Sequence, residues 1–201
     1  MAGRLKASAT KEKIISAALS LFMERGFHAT GINSILAQAG VSKGSLFHHF
    51  PTKQDIFLAV LTGYFSEYII QPMENAFQHC KTEQDALLCY VCDIEMQYKE
   101  YAFRQGCMLG NSALELADAD PVLRAAMGKM FADWRALLLG NIKQENLKID
   151  KEEFVSLYIA LIEGVTLMVK VHKQDHLSNI DFNAIKTMIK VSFHASECAM
   201  Q

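Results

Sequence analysis

The stretch TGINSILAQAGVSKGSLFHHFPTK, residues 30–53, decides the fold. Ile32, Ile35 and Leu36 recur at helical spacing and mark one short helix. Gly40 stops it, because a sharp turn often needs the positive φ that glycine tolerates. Ser42 suits the N-cap of a second short helix, residues 43–49. That helix carries Lys43, Ser45, His48 and His49 and turns Leu46 and Phe50 inward. A short polar helix held on an apolar base behind a tight turn is the design of a DNA-reading helix-turn-helix.

Outward from this stretch the pattern stays helical. Upstream, Thr10 caps a helix with Ile14, Ile15, Ala18, Leu21 and Phe22 on one face; Gly26 ends it, and Thr30 is expected to cap the next. Downstream, Thr52 and Asp55 form a capping box with Asp in place of the usual Glu. The long helix behind it carries Ile56, Phe57, Val60, Leu61, Tyr64 and Phe65, and Pro72 should kink or end it. Thr82 with Asp85 repeats the cap ahead of Leu87, Val91, Ile94 and Tyr98, and a short helix holds Leu109, Leu114 and Leu116. Asp120-Pro121, Asp150 and Asp181 each read as the start of a further apolar-striped helix. With no alternating strand pattern, the expectation is an all-α chain of about nine helices.

Bulk properties narrow the function. Half of the 201 residues are hydrophobic and 21% are charged, as in a globular chain. No apolar run approaches the roughly 20 residues that cross a bilayer, and no apolar leader follows the charged start MAGRLKASATKEK. A cytoplasmic protein without a membrane partner is expected. The net charge of −2 hides an asymmetry: residues 1–53 hold seven basic and two acidic side chains, +5, which leaves −7 for the rest. A basic end on an acidic body suits contact with a polyanion at that end only. Five cysteines, an odd number, are expected to be reduced thiols.

From Gly31-Ile32 to Ile56, above all in AGVSKGSLFHHFPTKQDI, the chain resembles the TetR family of transcriptional regulators. GCMLGNSALELAD, residues 106–118, is similar to a segment found in one branch of it. The chain departs from the family pattern at Leu36, usually Ala, and at Phe47 and His49, where Tyr is common. The resemblance implies a helix-turn-helix head over 1–55 and a ligand-binding and dimerisation body over 56–201. It implies that Lys43, Gly44 and Ser45 face the major groove, that Phe47, His48 and His49 lie on the DNA side, and that Thr30, Ser42 and Lys53 meet phosphates. Thr30 and Ser42 could instead be plain caps, Lys43 and Lys53 solvated charges, and Phe47 core. The implied partners are double-stranded operator DNA, a second copy of the chain and a small-molecule inducer; no cofactor or metal is expected.

So few polar side chains read DNA weakly in one copy, and a symmetric dimer on a near-palindromic site doubles the contacts. The apolar stripes of the last two helices are broader than an exposed helix tolerates. Phe154, Leu157, Leu161, Gly164, Val165, Met168, Ile185 and Ile189 are therefore either the dimer interface or monomer core, with Ala160 and Gly164 allowing close approach.

The middle of the chain is rich in Met and aromatics, and Met lines adaptable apolar pockets. Met96, Tyr98, Phe103, Met130 and Trp134 are candidate pocket residues, with ordinary core as the alternative. Cys107 is the candidate sensor. It stands at the expected start of a helix, where the helix dipole would favour the thiolate, helped by Lys170, His172 or Lys173 if the helix after Asp150 packs there. The branch it resembles looks like one in which some members sense electrophiles or oxidants through a cysteine at this place; a small buried residue is the alternative. Cys89-x-x-Cys92 lies mid-helix and is expected to pack in the core, and His172-x-x-x-His176 lacks a third metal ligand apart from the ambiguous Asp175. No phosphate loop, nucleophile elbow or paired metal motif points to an enzyme. A signal-responsive repressor is the leading reading. An activator, or a DNA-binding scaffold that only dimerises, also fits.

Overall fold

A computed structural model describes residues 2–100, 105–171 and 178–194, with backbone alone at 2–8, 99–100 and 178–181. Phe103, His172, Lys173, Asp175, His176 and Cys198 lie outside the described residues.

The described residues form ten α-helices: α1 Ala2–Ala29, α2 Ile32–Ala39, α3 Lys43–His49, α4 Lys53–Tyr64, α5 Gln71–His79, α6 Glu83–Glu100, α7 Met108–Leu116, α8 Pro121–Asn141, α9 Lys151–Val171 and α10 Ser178–Ser192. A π-helical segment, Phe65–Ile70, joins α4 to α5, and counting that run as one interrupted helix recovers the nine expected. The interruption has a cause: Pro72 has no N–H for the carbonyl four residues back, and its ring crowds that carbonyl, so the preceding turn widens. No strand forms among the described residues; an isolated bridge, Leu147 to Phe193, is closed by Lys148 N–H on Ser192 O at 2.8 Å.

The helix ends follow local chemistry. Thr52 and Asp55 close a reciprocal capping box, with Thr52 N on Asp55 Oδ2 at 2.9 Å and Asp55 N on Thr52 Oγ1 at 3.1 Å. Asp120 accepts from the amides of Val122 and Leu123, and Asp150 from those of Glu152 and Glu153. Asp181 is a correction: α10 is already helical from Ser178, so Asp181 stands inside the helix.

Two compact units divide the chain, and neither ends at residue 55. One takes Met1–Glu67 with Met108–Gly128; the other takes Tyr68–Cys107 with Lys129–Gln201. The first keeps α4 because Ile56, Phe57, Val60 and Leu61 are all buried, with the Phe57 ring edge-on to Phe22 at 5.1 Å and to Phe27 at 5.0 Å.

The second unit buries Leu87, Val91, Trp134, Leu138, Tyr158 and Phe182. Phe154, Val165, Ile185 and Ile189, candidates for the dimer face, are 0–5% exposed and belong to this core. Each such side chain contributes roughly 1.5–3 kcal/mol by burial within the monomer. Leu157 and Met168 remain 43% and 51% exposed, and Leu161 is half-buried. Cys89 and Cys92 are exposed on α6, not core as expected. Helix α9 also corrects the bulk reading: at 21 residues it is long and apolar enough, by length and composition, to cross a membrane, although a third of its apolar window is buried in the fold. Glu163 interrupts the apolar run, which hid this from a search for unbroken stretches.

Candidate nucleic-acid interface and signal site

The turn between α2 and α3 is built as its residues dictate. Gly40 sits at φ 64°, ψ 36°, and its N–H closes on Leu36 O at 3.0 Å. Ser42 caps α3 through Oγ, which accepts from Ser45 N at 3.2 Å. Leu46 and Phe50 are buried, which anchors the inner side of α3. The outer side presents Lys43, Gly44, Phe47 and His48 as exposed residues, with Ser45 and His49 half-buried. Lys43 Nζ lies 6.0 Å from the centre of the Phe47 ring, and the His48 and His49 rings meet edge-on at 5.3 Å. A Cβ on Gly44 would meet nothing within 4 Å, so the backbone here is open to close approach. Phe47, 38% exposed, is not core. This surface offers donors, a cation and no carboxylate, which is what phosphate and base edges require.

Two expected phosphate ligands are engaged elsewhere. Thr30 is fully buried, and its hydroxyl donates to Gly26 O at 2.7 Å and Leu21 O at 3.2 Å. It does not cap α2 either: the N-cap is Gly31. Lys53 Nζ donates to Phe27 O at 2.9 Å and Thr30 O at 3.1 Å and stands 4.1 Å over the Phe27 ring. Burial lowers its pKa, and the nearby Glu115 carboxylate works against that shift.

Glu115, on α7, escaped the sequence reading. Its carboxylate accepts from Phe27 N at 3.0 Å and His28 N at 2.7 Å. Gly26, at φ 80° and ψ 178°, breaks α1 just before these amides, and a Cβ there would lie 2.6 Å from Glu115 Oε2. The turn from Phe27 to Thr30 is thus held by an anion on its amides and a cation on its carbonyls. No local signal could reveal a contact spanning 88 residues. On the same side Gln54 donates to Asp120 at 3.2 Å.

In the second unit Cys107 is 7% exposed, and it follows Gly106, whose φ is 74°. The expected helix α9 does reach it, but through Glu163, which shares a hydrogen bond with the thiol. Tyr90 and Tyr98 lie within electrostatic reach of both. Among the described residues the groups shown near the thiol are a carboxyl and phenols, which do not favour a thiolate. Burial raises the Glu163 pKa, and the Cys107 hydrogen bond opposes it; burial raises Tyr90, Tyr98 and Tyr158 as well. Trp134 and Met130 are buried, whereas Met96 is 48% exposed. Cys89 touches Cys80, a hydrogen bond that, ahead of burial, raises the Cys89 thiol.

On α9 the half-buried or exposed residues Leu157, Leu161, Gly164 and Met168 form one stripe at spacings of four, three and four. Nothing lies within 4 Å of a Cβ at Gly164.

The comparisons agree with this geometry. The family model described as bacterial regulatory proteins, tetR family, matches residues 14–60, and that of the C-terminal domain of LmrA/YxaF-like transcriptional regulators matches residues 84–178. The chain is 26% identical over 160 residues to the HTH-type transcriptional regulator LmrA of Bacillus subtilis, covering 79% of this chain and 85% of LmrA. It is 27% identical over 120 residues to the HTH-type transcriptional repressor NemR of Escherichia coli, 60% of each chain. The crystal structure of a TetR-family regulator from Cytophaga hutchinsonii superposes with a TM-score of 0.81 at 22% identity, over 95% of this chain and 98% of that one. With a helix-turn-helix of this build and both halves matched, the chain belongs to the TetR family of transcriptional regulators.

Proposed function

We propose that the chain is a cytoplasmic, homodimeric repressor that binds a near-palindromic operator through α3 and releases it when the second unit receives a signal. The observation that carries this is the outer face of α3, where Lys43, Gly44, Ser45, Phe47 and His48 present a carboxylate-free surface on a buried base of Leu46 and Phe50. The name of the relative NemR supports repression. Binding, and not turnover, is its work.

The stripe Leu157, Leu161, Gly164 and Met168 supports dimerisation, since an exposed apolar stripe invites a second copy. Met168→Asp should leave the fold intact and shift the protein to monomer in sedimentation. Operator affinity should then fall by about 100-fold or more, as one half-site is lost.

The signal enters by one of two routes. In the first, an electrophile adds to Cys107. In the second, a reversible ligand binds, and the 7% exposure of Cys107 and its carboxyl neighbour favour this route. Helix α7 starts at Met108, next to Cys107 in the chain, and carries Glu115, which binds the turn before α2. A band-shift assay on the protein's own upstream DNA, with and without a quinone, tests both routes alongside Cys107→Ser. Release of wild type but not of the variant establishes the thiol route. Release of neither leaves the reversible route, and failure to bind any upstream fragment refutes the regulator reading.

A further inference from the structure

The turn between α5 and α6 brings two thiols together. Helix α5 stops at Cys80, whose N–H closes on Ala76 O at 3.0 Å and whose backbone is extended at φ −83° and ψ 151°. Thr82 caps α6: its hydroxyl accepts from Asp85 N at 3.0 Å and donates to Asp85 Oδ2 at 2.8 Å. Ala86, Leu87, Tyr90 and Val91 are buried and fix the inner side of α6. Cys89 is left on the outer side, exposed, and Cys80 is half-buried. The two side chains share a hydrogen bond across the turn.

The contact places sulfur against sulfur, the approach that a disulfide requires, on backbone already held by the Ala76 carbonyl and the Thr82–Asp85 cap. Both thiols are open to a small reagent, unlike Cys107, which is 7% exposed. The hydrogen bond to Cys80, ahead of burial and the Asp93 and Asp85 charges, raises the Cys89 pKa. Cys89 therefore keeps its proton and donates it to Cys80. That makes Cys80 the sulfur that attacks first and Cys89 the one that resolves.

We propose that Cys80 and Cys89 are a reversible dithiol–disulfide pair, a redox modification site separate from Cys107, oxidised by low-molecular-weight disulfides such as oxidised glutathione. The Cys80 thiolate attacks one sulfur of that disulfide, and one glutathione thiolate leaves. Cys89 then gives up its proton and attacks the Cys80 sulfur of the mixed disulfide, and the second glutathione thiolate leaves. The protein loses two protons and two electrons, and one glutathione disulfide becomes two glutathione thiols. The bridge ties the end of α5 to α6.

The full chain is reduced, equilibrated with oxidised glutathione, alkylated and digested with trypsin. Lys81 lies between the two thiols, so the bridge joins peptide 54–81 to peptide 82–99, which holds Cys89 and Cys92. The joined pair should appear equally in wild type, Cys92→Ser and Cys107→Ser, and dithiothreitol should dissolve it. It should vanish in Cys80→Ser and Cys89→Ser, with glutathione left on Cys80 in the latter. In denaturant the ratio of bridge to glutathione adduct should fall about tenfold, because the folded turn supplies the proximity. Loss of the joined pair in Cys92→Ser with retention in Cys89→Ser overturns the proposal. So do glutathione adducts on both thiols of wild type without a bridge, no reaction at either thiol, or an equal ratio in denaturant.

Discussion

The turn before α2 and the cluster around Glu163 each place a glutamate against groups far away in sequence, with opposite results. Glu115 is satisfied twice over, by the amides of Phe27 and His28, and its charge is matched by Lys53. Glu163 has one oxygen on a thiol and the other on nothing described. The first arrangement presets a geometry, as a reading head requires if α3 is to meet base edges without reordering. The second leaves one carboxyl oxygen without a partner among the described residues. The two glutamates belong to different units of the chain, Glu115 to the first and Glu163 to the second.

The sharpest way to break the first arrangement is Gly26→Ala. The added methyl meets Glu115 Oε2 at 2.6 Å, and a positive φ strains any other residue. A loss of about 2–3 kcal/mol in denaturant unfolding is expected. Lys53→Met should cost about 2 kcal/mol, because the carbonyls of Phe27 and Thr30 lose a charged donor. The salt dependence of operator binding separates this from a phosphate contact. Lys53→Met should leave the slope of log K against log salt unchanged, whereas Lys43→Ala should reduce it by about 1. A reduced slope for Lys53→Met would restore the phosphate role that the geometry removes. Glu115→Ala should cost about 1 kcal/mol, since water can reach the exposed His28 amide.

The second arrangement is tested by pH, with the smallest effect. Burial raises the Glu163 pKa in the folded state, so the native protein holds this proton more tightly than the unfolded chain. Stability from this group is fully present below the ordinary glutamate pKa and is lost as pH rises through the raised one. Glu163→Gln should therefore match wild type in Tm at acid pH and exceed it by a growing margin through that window. The opposite trend would mean that the carboxylate has a cationic partner.

Much of this was legible locally. Gly40, Ser42, Leu46 and the Thr52–Asp55 box act as their residue types demand, because turns and caps are settled within four residues. Lys53 and Thr30 were misplaced for the complementary reason. Residue type and position near a helix start suit a phosphate ligand, but both side chains were claimed by carbonyls brought close by folding. The dimer stripe divided in the same way: apolar character marked α9 and α10, and only packing showed that Phe154, Val165, Ile185 and Ile189 are core while Leu157 and Met168 stay outside.

By itself the sequence determined the helical class, the helix-turn-helix and the family, since these follow from periodicity, caps and a contiguous motif. The tertiary structure alone decided which charges are free and which are spent. Glu115 reaches its amides across 88 residues, and Cys107 meets Glu163 from another helix. Pairings of that range depend on how helices pack, and no local pattern of residues carries them.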